Sequence, residues 1–258
     1  MFGLLTRRRR ARIAARPFPG PWLEILERDV PLYTRLEALD RLELQRHVQV
    51  FLSEKRFEGC GGVVLTEEMT VTIASQACLL LLHRDTDYYP TVRSILVYPA
   101  TYVAPVVEET DDWLVTEGHE DREGEAWEHG VVVLSWADVQ ADTADATSGR
   151  NLVLHEFAHQ LDMEDGSPDG APLLPRRTMY AEWQRVMSDA YARLKRDVTR
   201  RRPTEIDEYG ATDPAEFFAV VTEGFFERPA ELREAEPALY EQLATYYGQD
   251  PVARPSGR

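Results

Sequence analysis

Apolar and polar positions along this chain follow helical spacing in most blocks and strand spacing in a few. From about Leu32 to Arg56, the residues Leu36, Leu39, Leu42, Val48 and Phe51 recur at mostly helical intervals, which predicts one or two amphipathic helices. His47 lies within that stretch and reads as an ordinary surface or packing histidine. "EGCGGVVLT" reads as a turn into a short strand. "EEMTVTIASQACLLLLHR" is apolar nearly all round and predicts a buried helix, with acidic residues in its first turn and His83 and Arg84 in its last, as the helix dipole favours. "SILVYPATYVAPVV" is rich in β-branched and aromatic residues but broken by Pro99 and Pro105, so it predicts short strands at a sheet edge. The acidic stretch Glu108 to Gly130 reads as a long exposed loop or hairpin, and "VVVLSW" after it as a buried strand.

Beyond Trp136 the pattern is helical. A helix and turn are expected over "ADVQADTADATSGR", then an apolar helix at "NLVLHEFAHQLD", then helices over Thr178 to Arg201, Asp213 to Phe226 and Pro237 to Tyr247. Helices, then strands, then helices imply an α+β arrangement. At the other end, "RPFPGPW" holds three prolines and a glycine in seven residues and reads as an irregular lead-in. Residues 1–21 are therefore expected to be a basic, flexible tail and residues 22–258 a single domain.

Composition narrows the function classes. The chain of 258 residues is 43% hydrophobic and 29% charged, ordinary for a packed soluble protein and too apolar for a disordered one. Its formal charge is -16, although Arg7, Arg8, Arg9, Arg10, Arg12 and Arg16 crowd the first sixteen residues; those six cations offset six further negative charges, so the rest carries -22. Such a body repels phosphate backbones, which argues against direct nucleic acid binding and favours a basic partner. "MFGLL" precedes the positive residues rather than following them, a poor secretion signal. "ACLLLL" falls far short of the roughly 20 residues a membrane helix needs. A soluble, cytoplasmic protein is expected. Cys60 and Cys78 have no metal or disulfide spacing and read as buried free thiols.

Candidate chemistry sits in "NLVLHEFAHQLDMEDG". Residues four apart on a helix share a face, so His155 and His159 can present two imidazoles to one ion, while Glu156 flanks it as a general base for a metal-activated water. Zinc suits imidazole and carboxylate ligands and supplies such water near neutral pH. A core helix with two hydrogen-bonded histidines is the plainer alternative, but burying two imidazoles and a carboxylate without a cation costs desolvation of each.

Catalytic zinc usually takes three protein ligands, and the residues leave the third open. Asp165 has the spacing used where a glycine reverses the chain, yet Asp162 stands at that glycine's position. Glu182 lies on the next helix, and His119 and His129 lie in the acidic stretch. Glu216 and Glu223, seven apart in "EYGATDPAEFFAVVTEGFFERP", share one helical face. Asp213, Pro214 and Glu216 also read as a helix-start box, but the apolar "FFAVVTEGFF" carries both glutamates towards the core, where carboxylates want a cation. Tyr209 precedes a glycine turn and can donate a hydrogen bond to an oxyanion.

"HEFAHQLDMEDG" and "EYGATDPAEFFAVVTEGFFERP", with "FLSEKRFEG", "VVLSW" and "YYGQDP", closely resemble the Mlc titration factor A family of zinc peptidases, also called DgsA anti-repressors. Around the metal the pattern is also similar to the anthrax lethal factor catalytic domain. The resemblance implies a zincin-like fold of gluzincin type, with a small mixed sheet and further helices after the HExxH helix. It implies one Zn2+ per chain held by His155, His159 and Glu216, with Glu156 as general base, Tyr209 as the matching tyrosine and Glu223 in a supporting role. It implies hydrolysis of a peptide or protein substrate, with aminopeptidase activity among the reactions it carries, and with the substrate pairing along "VVVLSW" or its neighbour. The alternative it carries is a binding module that sequesters a transcriptional repressor.

Overall fold

The computed structural model describes residues 2–100 and 130–254. The acidic stretch with His119 and His129 lies outside the described residues, as does the part of the expected edge strands beyond Ala100. Helix α1 (Phe2–Ala14) is followed by α2 (Gly20–Asp29), the single turn α3 (Pro31–Thr34) and α4 (Ala38–Glu54). Strand β1 (Arg56–Gly59), helix α5 (Glu67–Leu79) and strands β2 (Ser94–Tyr98) and β3 (Val131–Ser135) come next. Helices α6 (Trp136–Ala144), α7 (Leu152–Asp162), α8 (Tyr180–Thr199), α9 (Pro214–Glu227), α10 (Pro229–Ala235) and α11 (Pro237–Tyr247) complete the order.

Three expectations change. The arginine-rich stretch taken for a flexible tail is helical as far as Ala14, because its charges find fixed partners. Arg9 reaches Glu54 at 2.6 Å, and Arg10 reaches Glu54 at 3.0 Å and Asp87 at 2.9 Å, while Ile13 and Ala14 pack on the core. The strand expected at "VVLT" falls earlier, on β1, and the glycines after it form a turn leading to Thr66, whose side chain caps α5 by accepting from the Met69 N–H. The mixed sheet is, among the described strands, wholly parallel in the order β1-β2-β3. Parallel neighbours need crossovers, and α5 provides the one between β1 and β2.

In that sheet Phe57 pairs with Ile95 and Ile95 with Val132, while Val97 pairs with Leu134. Ile95, Val97, Val132 and Leu134 are buried, whereas Val133 on the opposite side is 39% exposed. Gly130, at φ +73°, turns the chain into β3 where a side chain would strike the Thr91 carbonyl. The rings of Phe51 and Phe57 stand 6.4 Å apart, and Phe157 of α7 packs on Phe51 at 5.7 Å and on Tyr89 at 4.8 Å. This aromatic cluster joins α4 and β1 to the helix that carries the histidine motif. On its other side α7 packs on α9, which is buried along nearly its whole length. Trp183, Phe218 and Tyr246 then lock α8, α9 and α11 together. Buried residues from Ile25 to Tyr247 form one continuous core. Among the described residues no helix is long and apolar enough to cross a membrane. Cys78 is buried and Cys60 half-buried, both as free thiols.

Candidate metal centre

The first N–H groups of a helix have no partner within it and must find acceptors. At α7 side chains supply them. Asn151 caps the helix by accepting from the Leu154 N–H at 3.0 Å, and Asp142 accepts from the Leu152 N–H at 2.7 Å. Glu223 accepts from the backbone N–H of Asn151. The Asn151 amide in turn donates to Gln76 at 2.6 Å and to Glu227 at 3.0 Å. Negative groups at a helix N-terminus are favoured by its dipole. Burial nevertheless pushes Asp142 up to about 6 and Glu227 up to about 8, in spite of their hydrogen bonds.

One turn into α7, His155 and His159 face each other with their Nε2 atoms 3.1 Å apart. Glu216 of α9 brings Oε2 to 3.0 Å from His155 Nε2 and Oε1 to 3.5 Å from His159 Nε2. A tetrahedral ion with bonds of about 2.05 Å separates its ligands by about 3.3 Å, so these spacings suit zinc in size as well as in ligand type. Glu216 Oε2 is buried without a hydrogen bond although an imidazole nitrogen is 3.0 Å away. Lone pairs converging in a buried place call for a cation. The three residues form a group able to hold a metal ion.

Glu223 orients the His155 ring. Its Oε1 lies 2.7 Å from His155 Nδ1, and because a carboxylate only accepts, Nδ1 carries the proton and Nε2 is turned to His159 and Glu216. Burial opposes a charged imidazole at His155, yet Glu216 and Glu223 outweigh it and raise its pKa well above the usual value. Burial lowers that of His159. Glu216, although buried, is held down to about 2 by the two histidines.

Glu156 is 7% exposed, and its charge acts on His155. Tyr209 sits in a 3-10 turn, Glu208–Ala211, with its ring 6.1 Å from that of His155 and 46% exposed. Asp165 and Glu182 stand outside this group. Asp165 is exposed and accepts from the Ser167 N–H, and Glu182 pairs with Arg185 at 2.6 Å on the surface. Asp213 caps α9 by accepting from the N–H groups of Ala215 and Glu216, so the helix-start reading of this stretch and the metal reading of the Glu216 side chain coexist.

Sequence reasoning passed over Asp142, Asn151, Glu227 and Asp162 as members of this neighbourhood. Asn151, a capping residue type just before an apolar run, was the one visible signal. Asp162 ends α7 fully buried and accepts from the Gly170 N–H at 2.7 Å. The chain reverses at Gly166, with φ +98°, instead of at Asp162. Gly170 then touches the first residue of α9 so closely that a side chain would meet the Pro214 carbonyl. Asp162 therefore ties the end of α7 to the start of α9. A second group among the described residues, Asp40, Glu43 and His83, is more exposed and already paired, with His83 Nε2 on Asp40 at 3.1 Å.

Residues 4–248 match the family described as glucose-regulated metallo-peptidase M90. The chain belongs to that family. This M90 member is 40% identical to an uncharacterized protein of Synechocystis sp. over 95% of its own length and 89% of the relative's. It is 35% identical to proteins named Mlc titration factor A from Klebsiella pneumoniae, over 91% of this chain and 88% of the relative, and from Cronobacter sakazakii, over 92% and 88%. The matched span of the M90 chain includes the whole centre described above.

Proposed function

We propose that this M90 member is a zinc-dependent peptidase of the gluzincin type, built as one domain and working in the cytoplasm. The observation that carries the proposal is the convergence of His155 Nε2, His159 Nε2 and the Glu216 carboxylate within ligand distance of one another, with Glu156 beside them on the same helix. His155, His159 and Glu216 would hold the metal. Zinc, when bound, would polarise a substrate carbonyl and lower the pKa of water. Glu156 takes the proton from the attacking water and delivers it to the departing amine. Tyr209 donates a hydrogen bond to the developing oxyanion, and Glu223 keeps the His155 ring in register throughout. An extended peptide would pair along β3, an edge of the described sheet.

The test is metal content and hydrolysis of aminopeptidase and protein substrates by wild type, Glu156→Gln and Glu216→Ala. Glu156→Gln is expected to keep about one zinc per chain and lose turnover by at least 10²-fold. Glu216→Ala is expected to lose both. Turnover surviving in Glu156→Gln would remove the assigned base, and zinc retained in Glu216→Ala would remove the third ligand.

A second reading rests on the name of the relatives at 35% identity, Mlc titration factor A. It is that this chain binds a repressor-type regulator through its acidic body. Binding of Mlc that persists in Glu156→Gln would establish this function apart from hydrolysis.

A further inference from the structure

Between α8 and α9 the chain runs through the turn that carries Tyr209, and this segment is strapped to the body at two points. Arg228 holds Glu205 at 2.9 Å, and Arg150 holds Asp207 with Nη2 at 2.7 Å and Nε at 2.9 Å from Oδ2. Between the straps lies a cavity of about 180 Å³ lined by Ser148, Ile206, Val220, Gly224 and Leu232 among others. Behind the turn, Gly210 abuts Val220 and Leu194, and the Tyr191 hydroxyl lies 3.3 Å from the carbonyls of Ala211 and Thr212.

In front of the turn there is Asp207. Its Oδ2 accepts both donors of Arg150, while its Oδ1 accepts from the Tyr209 N–H at 2.9 Å. Arg150 immediately precedes Asn151, the cap of the helix carrying both histidines. One carboxylate thus spans from the start of that helix to the backbone of Tyr209. The Arg150 side chain is 73% exposed, and an exposed ion pair contributes little to global stability. What it supplies is placement, because its two donors fix the carboxylate whose other oxygen fixes the turn.

We propose that Asp207, held by Arg150, is a positioning residue that sets Tyr209 over His155 and so ties the oxyanion donor to the helix carrying the metal ligands. This rests on the reading of Tyr209 given above. No group on Asp207 or Arg150 reacts.

Two measurements test it. Deuterium uptake in the metal-free protein is followed for Asp207→Asn and Arg150→Gln. Uptake over residues 207–212 is expected to rise with α7 unchanged; uptake equal to wild type would overturn the placement. On zinc-loaded protein, kcat is expected to fall about tenfold in Asp207→Asn with KM within about twofold, the loss a small displacement of a reacting group produces. In a Tyr209→Phe background the same substitution is expected to cost nothing further. Independent, additive losses would overturn the proposal, since Asp207 would then act elsewhere than through Tyr209. Raised uptake with a fully active Tyr209→Phe would leave the placement standing and remove the oxyanion role of Tyr209, which separates the two failures.

Discussion

Glu223 and Asp162 show how much of this site is decided one side chain at a time. Glu223 divides its oxygens between the His155 ring and the Asn151 backbone, so the orientation of that ring and the start of its helix depend on one carboxylate. Asp162 is fully buried with Oδ1 unpartnered, and burial lifts it to about 7 against the N–H groups of Gly170 and Ala171. The ordinary value is 3.8, so between about pH 4 and 7 the folded protein holds a proton that the unfolded chain has released. Stability from this group is therefore full below that window and is lost as pH rises through it. Asp162→Asn, which cannot ionise, is expected to lose about 1–3 kcal/mol less stability than wild type between pH 5 and 8 in urea unfolding. Identical pH slopes for the two proteins would show that Asp162 ionises normally.

Among the elements, α7 matters most because its two sides do different work. The histidines face α9, while Phe157, two residues from His155, points the other way into Phe51 and Tyr89. That ring is the link between the geometry of the two histidines and core packing. Phe157→Ala is expected to destabilise by about 3–5 kcal/mol in urea unfolding, and to weaken zinc retention against a chelator as the helix settles into the cavity. A loss below about 1 kcal/mol would mean that the cluster does not hold α7. The existence of α7, α8, α9 and α11 was legible from apolar spacing, and the start of α9 from Asp213 and Pro214. The strand expected at "VVLT" and the helix expected to run on to Arg84, which ends at Leu79, were misplaced for a common reason. Short apolar runs are equally compatible with strand, helix or buried turn, and only the sheet neighbours of Phe57 and the packing of Leu80, Leu81 and Leu82 decide between them.

For the whole molecule, charge is the governing quantity. A net -16 repels itself, and the arginines of α1 relieve this locally through Glu54 and Asp87. Raising NaCl from about 20 to about 200 mM is expected to screen that repulsion and raise Tm by about 2–5 °C in scanning calorimetry. A fall in Tm would mean that the ion pairs, which salt also screens, outweigh the repulsion.

The sequence by itself determined the two imidazoles on one helical face, the glutamate beside them, the apolar second helix and the acidic body, since each depends on residue type and spacing within a single segment. Only the tertiary structure decided which carboxylates stand at the two histidines, because Glu216 and Glu223 meet His155 from more than sixty residues away and an exposed Asp165 or Glu182 is no less suitable as a sequence. The arginine-rich start was misread for the same reason: a run of like charges is solvated unless the fold brings partners to it, and here the end of α4 does. The position of Asp207 between Arg150 and Tyr209 likewise exists only once two distant turns are packed side by side.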